Sequence, residues 1–270
     1  MPAHRKEPEK HSRPWFDLAA AALGSCILLF IIAPLLGLLL SSSSSELFGA
    51  ITDEEVTRSI RLTLSAALLA TAAGTATGVP LAYLLARKRF FGRAVLLAII
   101  DLPIIIPHSA AGIALLTLIG RRSLLGSVLG SFVGTFQGIA VAMAFVSVPF
   151  LVNAARAGFA AVPERLEKAA RTLGASPARV FFTISVPMAW RDILSGMILM
   201  WARGISEFGA VVIIAYHPMT TPVLVFQRFN DYGLAHARSA AVVLILICVA
   251  VFAVLRLVAG VRATEAAQVA

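Results

Sequence analysis

The sequence predicts an all-α membrane protein of about six transmembrane helices, and three observations predict it. Of 270 residues, 59% are hydrophobic and 14% charged, whereas a soluble domain averages about 45–50% apolar and about 25% charged. Six apolar runs of about 20 residues, the length that crosses about 30 Å of hydrocarbon, punctuate the chain. Lys and Arg gather in alternate gaps between those runs, as a fixed orientation in a bilayer requires.

Leu18–Leu40 carries no charge and follows a tail containing Arg5, Lys6, Lys10 and Arg13. It holds Pro34 and ends on Ser41–Ser45 rather than on a small-residue cleavage site, so it reads as an uncleaved anchor. Leu62–Ala86 is equally clean, and its Gly74-x-x-x-Gly78 allows close helix contact. Ala94–Ile119 is apolar except for Asp101 and His108, with Pro103 and Pro107 placed to kink it. Gln137–Ala155 follows, then Ile193–Tyr216 with Arg203 and Glu207 inside it, and Ser239–Leu255. Ser123–Gly134, rich in Gly and Ser, is a loop or a short re-entrant piece. Residues 1–17 and 260–270 are then terminal tails around a transmembrane domain over 18–259. Cys26 and Cys248 both sit in apolar runs and read as small hydrophobes.

With both termini cytoplasmic, sixteen Lys and Arg residues fall on the cytoplasmic side and six on the other, with Arg203 inside the membrane. That asymmetry sets a multi-pass orientation in the plasma or inner membrane. It also accounts for the net charge of +9 without nucleic acid as a partner.

One stretch breaks the apolar pattern. "EKAARTLGASPARVFFTISVP", Glu167–Pro187, lies between spans four and five on the cytoplasmic side. Pro163-Glu164 suits a helix start, with proline where no N–H is missed and an acid at the positive end of the helix dipole. Gly174 ends that helix. Ser176 and Pro177 then cap and open a second one, which is expected to run to Pro187. Ala169 and Ala170 give the bend a small, smooth surface. The hairpin over 163–187 is a knob shaped for a socket in another protein.

The run resembles the EAA loop of ABC importer permeases. Ala169-Ala170, three residues, Gly174, nine residues, Ile184, one residue, then Val186-Pro187 keeps nearly every spacing of that pattern. Lys168 stands where the pattern has its first acid, with Glu167 one place earlier, and Val186 replaces a leucine. The resemblance implies a type I ABC importer-like fold. In it Glu167, Ala169, Ala170, Gly174, Ala175, Ile184 and Pro187 would form the coupling element that docks on a separate ATPase subunit. No lysine of this chain follows a glycine, so the phosphate-cradling G-x-x-x-x-G-K-[ST] loop is absent from the sequence. ATP and Mg then belong to the partner, and the chain itself is expected to bind no cofactor and to be no enzyme.

The likeness continues outside the loop. "GVPLAYLLARKRFFGR" (Gly78–Arg93), "LPIIIPHSAAGIALL" (Leu102–Leu116), "ARGISEFGAVVIIAY" (Ala202–Tyr216) and "TPVLVFQRFNDYGL" look like the molybdate, tungstate and sulfate branch of these permeases, and most like its molybdate/tungstate members. The resemblance implies a homodimer, two copies of the ATPase subunit and an extracytoplasmic oxyanion-binding protein. The same machine carrying sulfate or thiosulfate is the alternative. The outer loops Ser41–Arg58 and Tyr216–Arg238, the latter flanked by His217 and His236, are candidate surfaces for the binding protein.

Ionisable groups inside a membrane are functional candidates by default. Arg203 and Glu207 stand four apart on one helical face. They form either a structural ion pair or, with Ser206, part of the pathway wall or gate. His108 and Ser109 follow Pro107 and either line the pathway or cap carbonyls freed by the kink; Asp101 reads as structural. A strong cationic cage would hold a dianion too tightly to release it, and the spans offer hydroxyls and few charges. A proton-coupled transporter built on Glu207, Arg203, Asp101 or His108 leaves the loop spacing unexplained. For a membrane enzyme, neither a nucleophile triad nor metal-ligand spacing converges on one face.

Overall fold

A computed structural model describes residues 14–268. Residues 1–13 and 269–270, with Arg5, Lys6, Lys10 and Arg13 of the expected N-terminal tail, lie outside the described residues. The described chain is helical, with no strand among the described residues.

The N-terminal rod α1 (Pro14–Leu40) buries none of its apolar stretch against the rest of the chain. In a bilayer such a surface is covered by lipid or by another chain. The segment after it, expected as an outer loop, is helical: α2 (Ser44–Thr52) begins in a capping box. Ser43 Oγ accepts from the Glu46 N–H, and Glu46 returns a carboxylate oxygen to the Ser43 N–H. Asp53 then caps the long α3 (Glu54–Arg87) by accepting from the Glu55 and Val56 N–H groups.

The expected third span is two helices, α4 (Arg93–Ile105) and α5 (His108–Ile119), bent by 114° at Ile106–Pro107. Pro103 stays inside α4, so the break belongs to Pro107, which forces Ile106 into extended backbone and supplies no N–H. The Gly- and Ser-rich segment contains α6 (Leu124–Leu129), and α7 (Phe136–Ala161) is the central span.

The hairpin follows as α8 (Glu164–Thr172) and α9 (Pro177–Val180). Contrary to expectation, the second helix does not end at Pro187. It widens into a π-turn over Phe181–Ser185 and continues as α10 (Val186–Ile205). Pro187 has no N–H and its ring crowds the carbonyl one turn back. Widening the turn, with Val186 N–H reaching Phe181 O, carries the helix past it. The expected fifth span is interrupted in turn: α10 stops at Ser206 and α11 (Gly209–Ile214) restarts it. The segment after it, expected as the last outer loop, carries α12 (Thr221–Tyr232), and α13 (Leu234–Gln268) closes the chain.

Among the described residues, four helices are long and apolar enough to cross a membrane, and the bent α4–α5 pair makes a fifth if taken as one span. The remaining expected crossing falls on α10 and α11. In lipid, helices associate through close packing rather than water release, which favours small residues at contacts. The core bears this out, with Ala66, Ala67, Ala70 and Ala142 buried where α3 meets α7. Gly74 lets the Met200 side chain of α10 fill the space a Cβ would occupy, and Gly78 does the same for Val152 of α7. Asp101 Oδ1 accepts from Asn153 Nδ2 at 2.6 Å across to α7.

Candidate coupling hairpin and intramembrane charge cluster

The hairpin's turn is fixed by backbone geometry. Gly174 has φ +87°, a left-handed conformation that side chains disfavour. Ala175 N–H donates to Ala170 O and Gly174 N–H to Arg171 O, each at 3.0 Å. That pair of bonds is the Schellman termination, which satisfies carbonyls left over at the end of α8. A Cβ at Gly174 would touch nothing within 4 Å, so the glycine is there for its backbone angle and not for space. Ser176 Oγ then accepts from Arg179 N–H to start α9.

Glu167 points inward. It is 6% exposed, and three side chains converge on its carboxylate. Arg87, at the end of α3, donates through Nε at 3.0 Å and Nη2 at 2.8 Å. Ser185 Oγ, from the π-turn, donates at 2.8 Å and Tyr83 Oη at 3.3 Å. Arg87 Nη2 also donates to Val162 O at the end of α7. Burial alone would raise the Glu167 carboxyl; the hydrogen bonds from Arg87 and Ser185 and the Arg87 charge outweigh it and hold the group below its ordinary value. Tyr83, Phe159 and Phe181 pack edge-on and tilted beneath this polar lock, with centroids 5.0–6.0 Å apart.

The opposite face of α8 is left outward. Lys168 is exposed and pairs with Glu164 at 3.2 Å. Ala169 and Gly174 are exposed, while Ala170, Ala175 and Ile184 are half-buried and Pro187 is exposed on the helix that follows. Leu173, at the tip, is 89% exposed. Sequence reasoning missed it, along with Arg87, Tyr83 and Ser185. Leu173 could have been found as the one large apolar residue at the end of a polar helix; the other three needed the fold.

The second cluster joins the two interrupted spans. Arg203, at the end of α10, sets Nη2 2.9 Å from Glu207 Oε2 and 2.8 Å from His108 Nε2. His108 Nδ1 lies 3.3 Å from the same Glu207 oxygen, so an Nδ1–H tautomer donates to the carboxylate while Nε2 accepts from arginine. The other Glu207 oxygen accepts from Ala210 N–H at 2.8 Å, capping α11. Glu207 is 1% exposed. Ser206 accepts from Arg203 Nη1, while Ser109 is exposed just past the break in the third span. Gly209 permits the approach, since a Cβ there would lie 2.7 Å from His108 Cβ. The Arg203 cation is paired with the Glu207 anion within the cluster. Among the described residues, no group of three or more His, Cys, Asp or Glu is placed to hold a metal ion.

Residues 78–261 match the family described as binding-protein-dependent transport system inner membrane component. The chain is 44% identical, over 242 residues, to the molybdate/tungstate transport system permease protein WtpB of Thermococcus kodakarensis, covering 89% of this chain and 94% of that one. A more distant relative is the probable sulfate transport system permease protein cysT of Chlorokybus atmophyticus, 36% identical over 87% of this chain and 84% of that one. Among solved structures, a bacterial ABC transporter involved in the import of the acidic polysaccharide alginate superposes with a TM-score of 0.69. It is 16% identical and covers 94% of this chain and 99% of that chain; at that identity the likeness is one of fold.

Proposed function

Because the chain belongs to the family of binding-protein-dependent transport system inner membrane components, we propose that it is the permease subunit of an ATP-driven importer of molybdate or tungstate. The observation that carries the coupling half of this reading is the hairpin. It is a Schellman-terminated helix latched from inside by Glu167 and Arg87, presenting Leu173 outward. A rigid knob with one exposed apolar tip suits insertion into a groove on a separate ATPase subunit, where ATP and Mg act. Glu167 does not touch that partner; it is a positioning residue that holds the knob. Ala169, Ala170 and Gly174 supply its surface and bend.

The permease works as a homodimer with both termini cytoplasmic, two ATPase subunits below and an oxyanion-binding protein above. The Arg203–Glu207–His108 cluster pins the two broken spans together beside the pathway. With Arg203 held by Glu207, it lets a dianion pass rather than trapping it.

The test is uptake into proteoliposomes holding this chain with its ATPase and binding protein, with tungstate, molybdate and sulfate counted with and without internal ATP. ATP-dependent entry of molybdate or tungstate, lost in Gly174→Asp with the fold intact, is the expected result. Entry of sulfate alone overturns the substrate, and uptake indifferent to ATP and to Gly174 overturns the importer.

A further inference from the structure

A cavity of about 800 Å³ opens at the end of α3 opposite the hairpin, lined by Glu55, Arg58, Ser59, Arg61 and Ser65 on that helix and by His217 after α11. Arg58, Arg61 and Ser65 repeat at three- and four-residue intervals, which places them on one stripe of the helix. Two of the three acids at this end share one arginine. Arg228 Nη2 bonds Asp53 Oδ2 at 2.8 Å and Glu55 Oε2 at 2.7 Å. Burial would raise the Asp53 carboxyl, but the hydrogen bond and charge of Arg228 hold it below its ordinary value. Among the described residues, neither the Arg58 nor the Arg61 guanidinium has a hydrogen bond or an ion pair. The two hydroxyls of the wall are committed: Ser59 Oγ donates to Val56 O at 2.8 Å, and Ser65 Oγ to Arg61 O at 2.6 Å.

Two arginines whose guanidinium groups are unpaired therefore line a roomy cavity beside an imidazole, and the one lining carboxylate, Glu55, is bonded to a third arginine. Guanidinium N–H groups match the edge of a tetrahedral oxyanion, donating to two of its oxygens at once. We propose that this cavity is a capture site for a free tetrahedral dianion, with Arg58 and Arg61 as its ligands. The inference rests on the reading of the chain as an oxyanion importer and adds where the anion is first held. Both arginines are exposed, so water and salt screen the attraction. The site draws the anion from the binding protein, raises its local concentration and releases it onward. It differs from the Arg203 cluster in that its two arginines are not paired with an acid.

The test uses the complete transporter with molybdate-loaded binding protein. In Arg58→Gln/Arg61→Gln the maximal uptake rate is expected to fall by about ten-fold, as when charges that steer an ion are removed. The binding-protein concentration giving half-maximal rate stays put, and Arg58→Lys/Arg61→Lys keeps most of the rate. A raised half-saturating concentration at unchanged maximal rate makes this a surface for the binding protein and overturns the site. A defect seen in phosphatidylglycerol liposomes but not in phosphatidylcholine alone assigns the arginines to lipid headgroups, with the same consequence. Independently of transport, millimolar molybdate should slow phenylglyoxal modification of Arg58 and Arg61 in the full chain in nanodiscs, read by mass spectrometry. Absence of that protection refutes the site even if ATP-driven uptake is intact; protection with no uptake by the wild type instead refutes the importer.

Discussion

Glu167 and Arg87 stand 80 residues apart and meet at 2.8 Å, so the 163–187 hairpin is latched to the end of α3 from within. Removing one partner of a buried pair strands a charge and costs about 3–5 kcal/mol. Arg87→Ala should therefore speed amide exchange throughout α8 and lower the thermal midpoint. Arg87→Met combined with Glu167→Gln, which leaves no stranded charge, should recover most of that loss.

The same carboxylate sets an acid limit. Its folded value lies below the ordinary 4.5, so it binds a proton more readily in the unfolded chain than in the latch. The stability it contributes is fully present above pH 4.5 and is lost as pH falls through the depressed folded value. Protection of the α8 amides, taken relative to the intrinsic exchange rate at each pH, should stay flat from pH 7 to about 5 and fall below about 4. In Glu167→Gln that acid-side loss should be absent.

Gly174→Ala places a side chain at φ +87°, at a cost of about 1–2 kcal/mol. Because nothing crowds the position, the whole effect is conformational. Gly174→Asn should therefore cost less than Gly174→Ala, an order that a steric cause would reverse. ATPase activity stimulated by the loaded binding protein ranks the three proteins.

Leu173→Ser should leave the permease's thermal midpoint unchanged, since the side chain is 89% exposed. Burial of a leucine in a partner is worth about 1.5–3 kcal/mol. Affinity for the ATPase subunit should therefore drop by about 10- to 100-fold, measured by titration in detergent. Unaltered affinity would place the docking surface elsewhere.

Arg203→Met leaves Glu207, 1% exposed, without its cation. The expected loss is about 3 kcal/mol or more of stability. Adding Glu207→Gln, which still accepts from Ala210 N–H, should restore at least half of it. A double variant as unstable as Arg203→Met alone would show that the pair is not the source.

The hairpin was legible because its signals are local. Pro163, Gly174 and Ser176-Pro177 act through backbone chemistry a few residues wide, and each does in the fold what its position implies. Glu167 was legible as a group needing a role but not in its direction, because the arginine that turns it inward comes from another helix. Pro107 announced a disturbance in the third span, yet a kink and a 114° break have the same local cause and differ in what packs against them. The break at Ser206 carries no proline; it depends on Glu207 capping α11 and on Gly209 admitting His108. The passage of the helix through Pro187 was hidden for a related reason. A π-turn is a response to proline that composition does not encode.

That π-turn gives the membrane end of the hairpin a mechanical character. From Pro177 to Ile205 the backbone is helical without interruption, a lever arm of about 43 Å at 1.5 Å per residue. Tilting such an arm by 5° about its middle swings each tip through about 2 Å. Arg203 rides on the far tip and His108 on a different helix, 2.8 Å away. A tilt too small to unfold anything thus moves the Arg203 backbone by a distance comparable to its contact with His108.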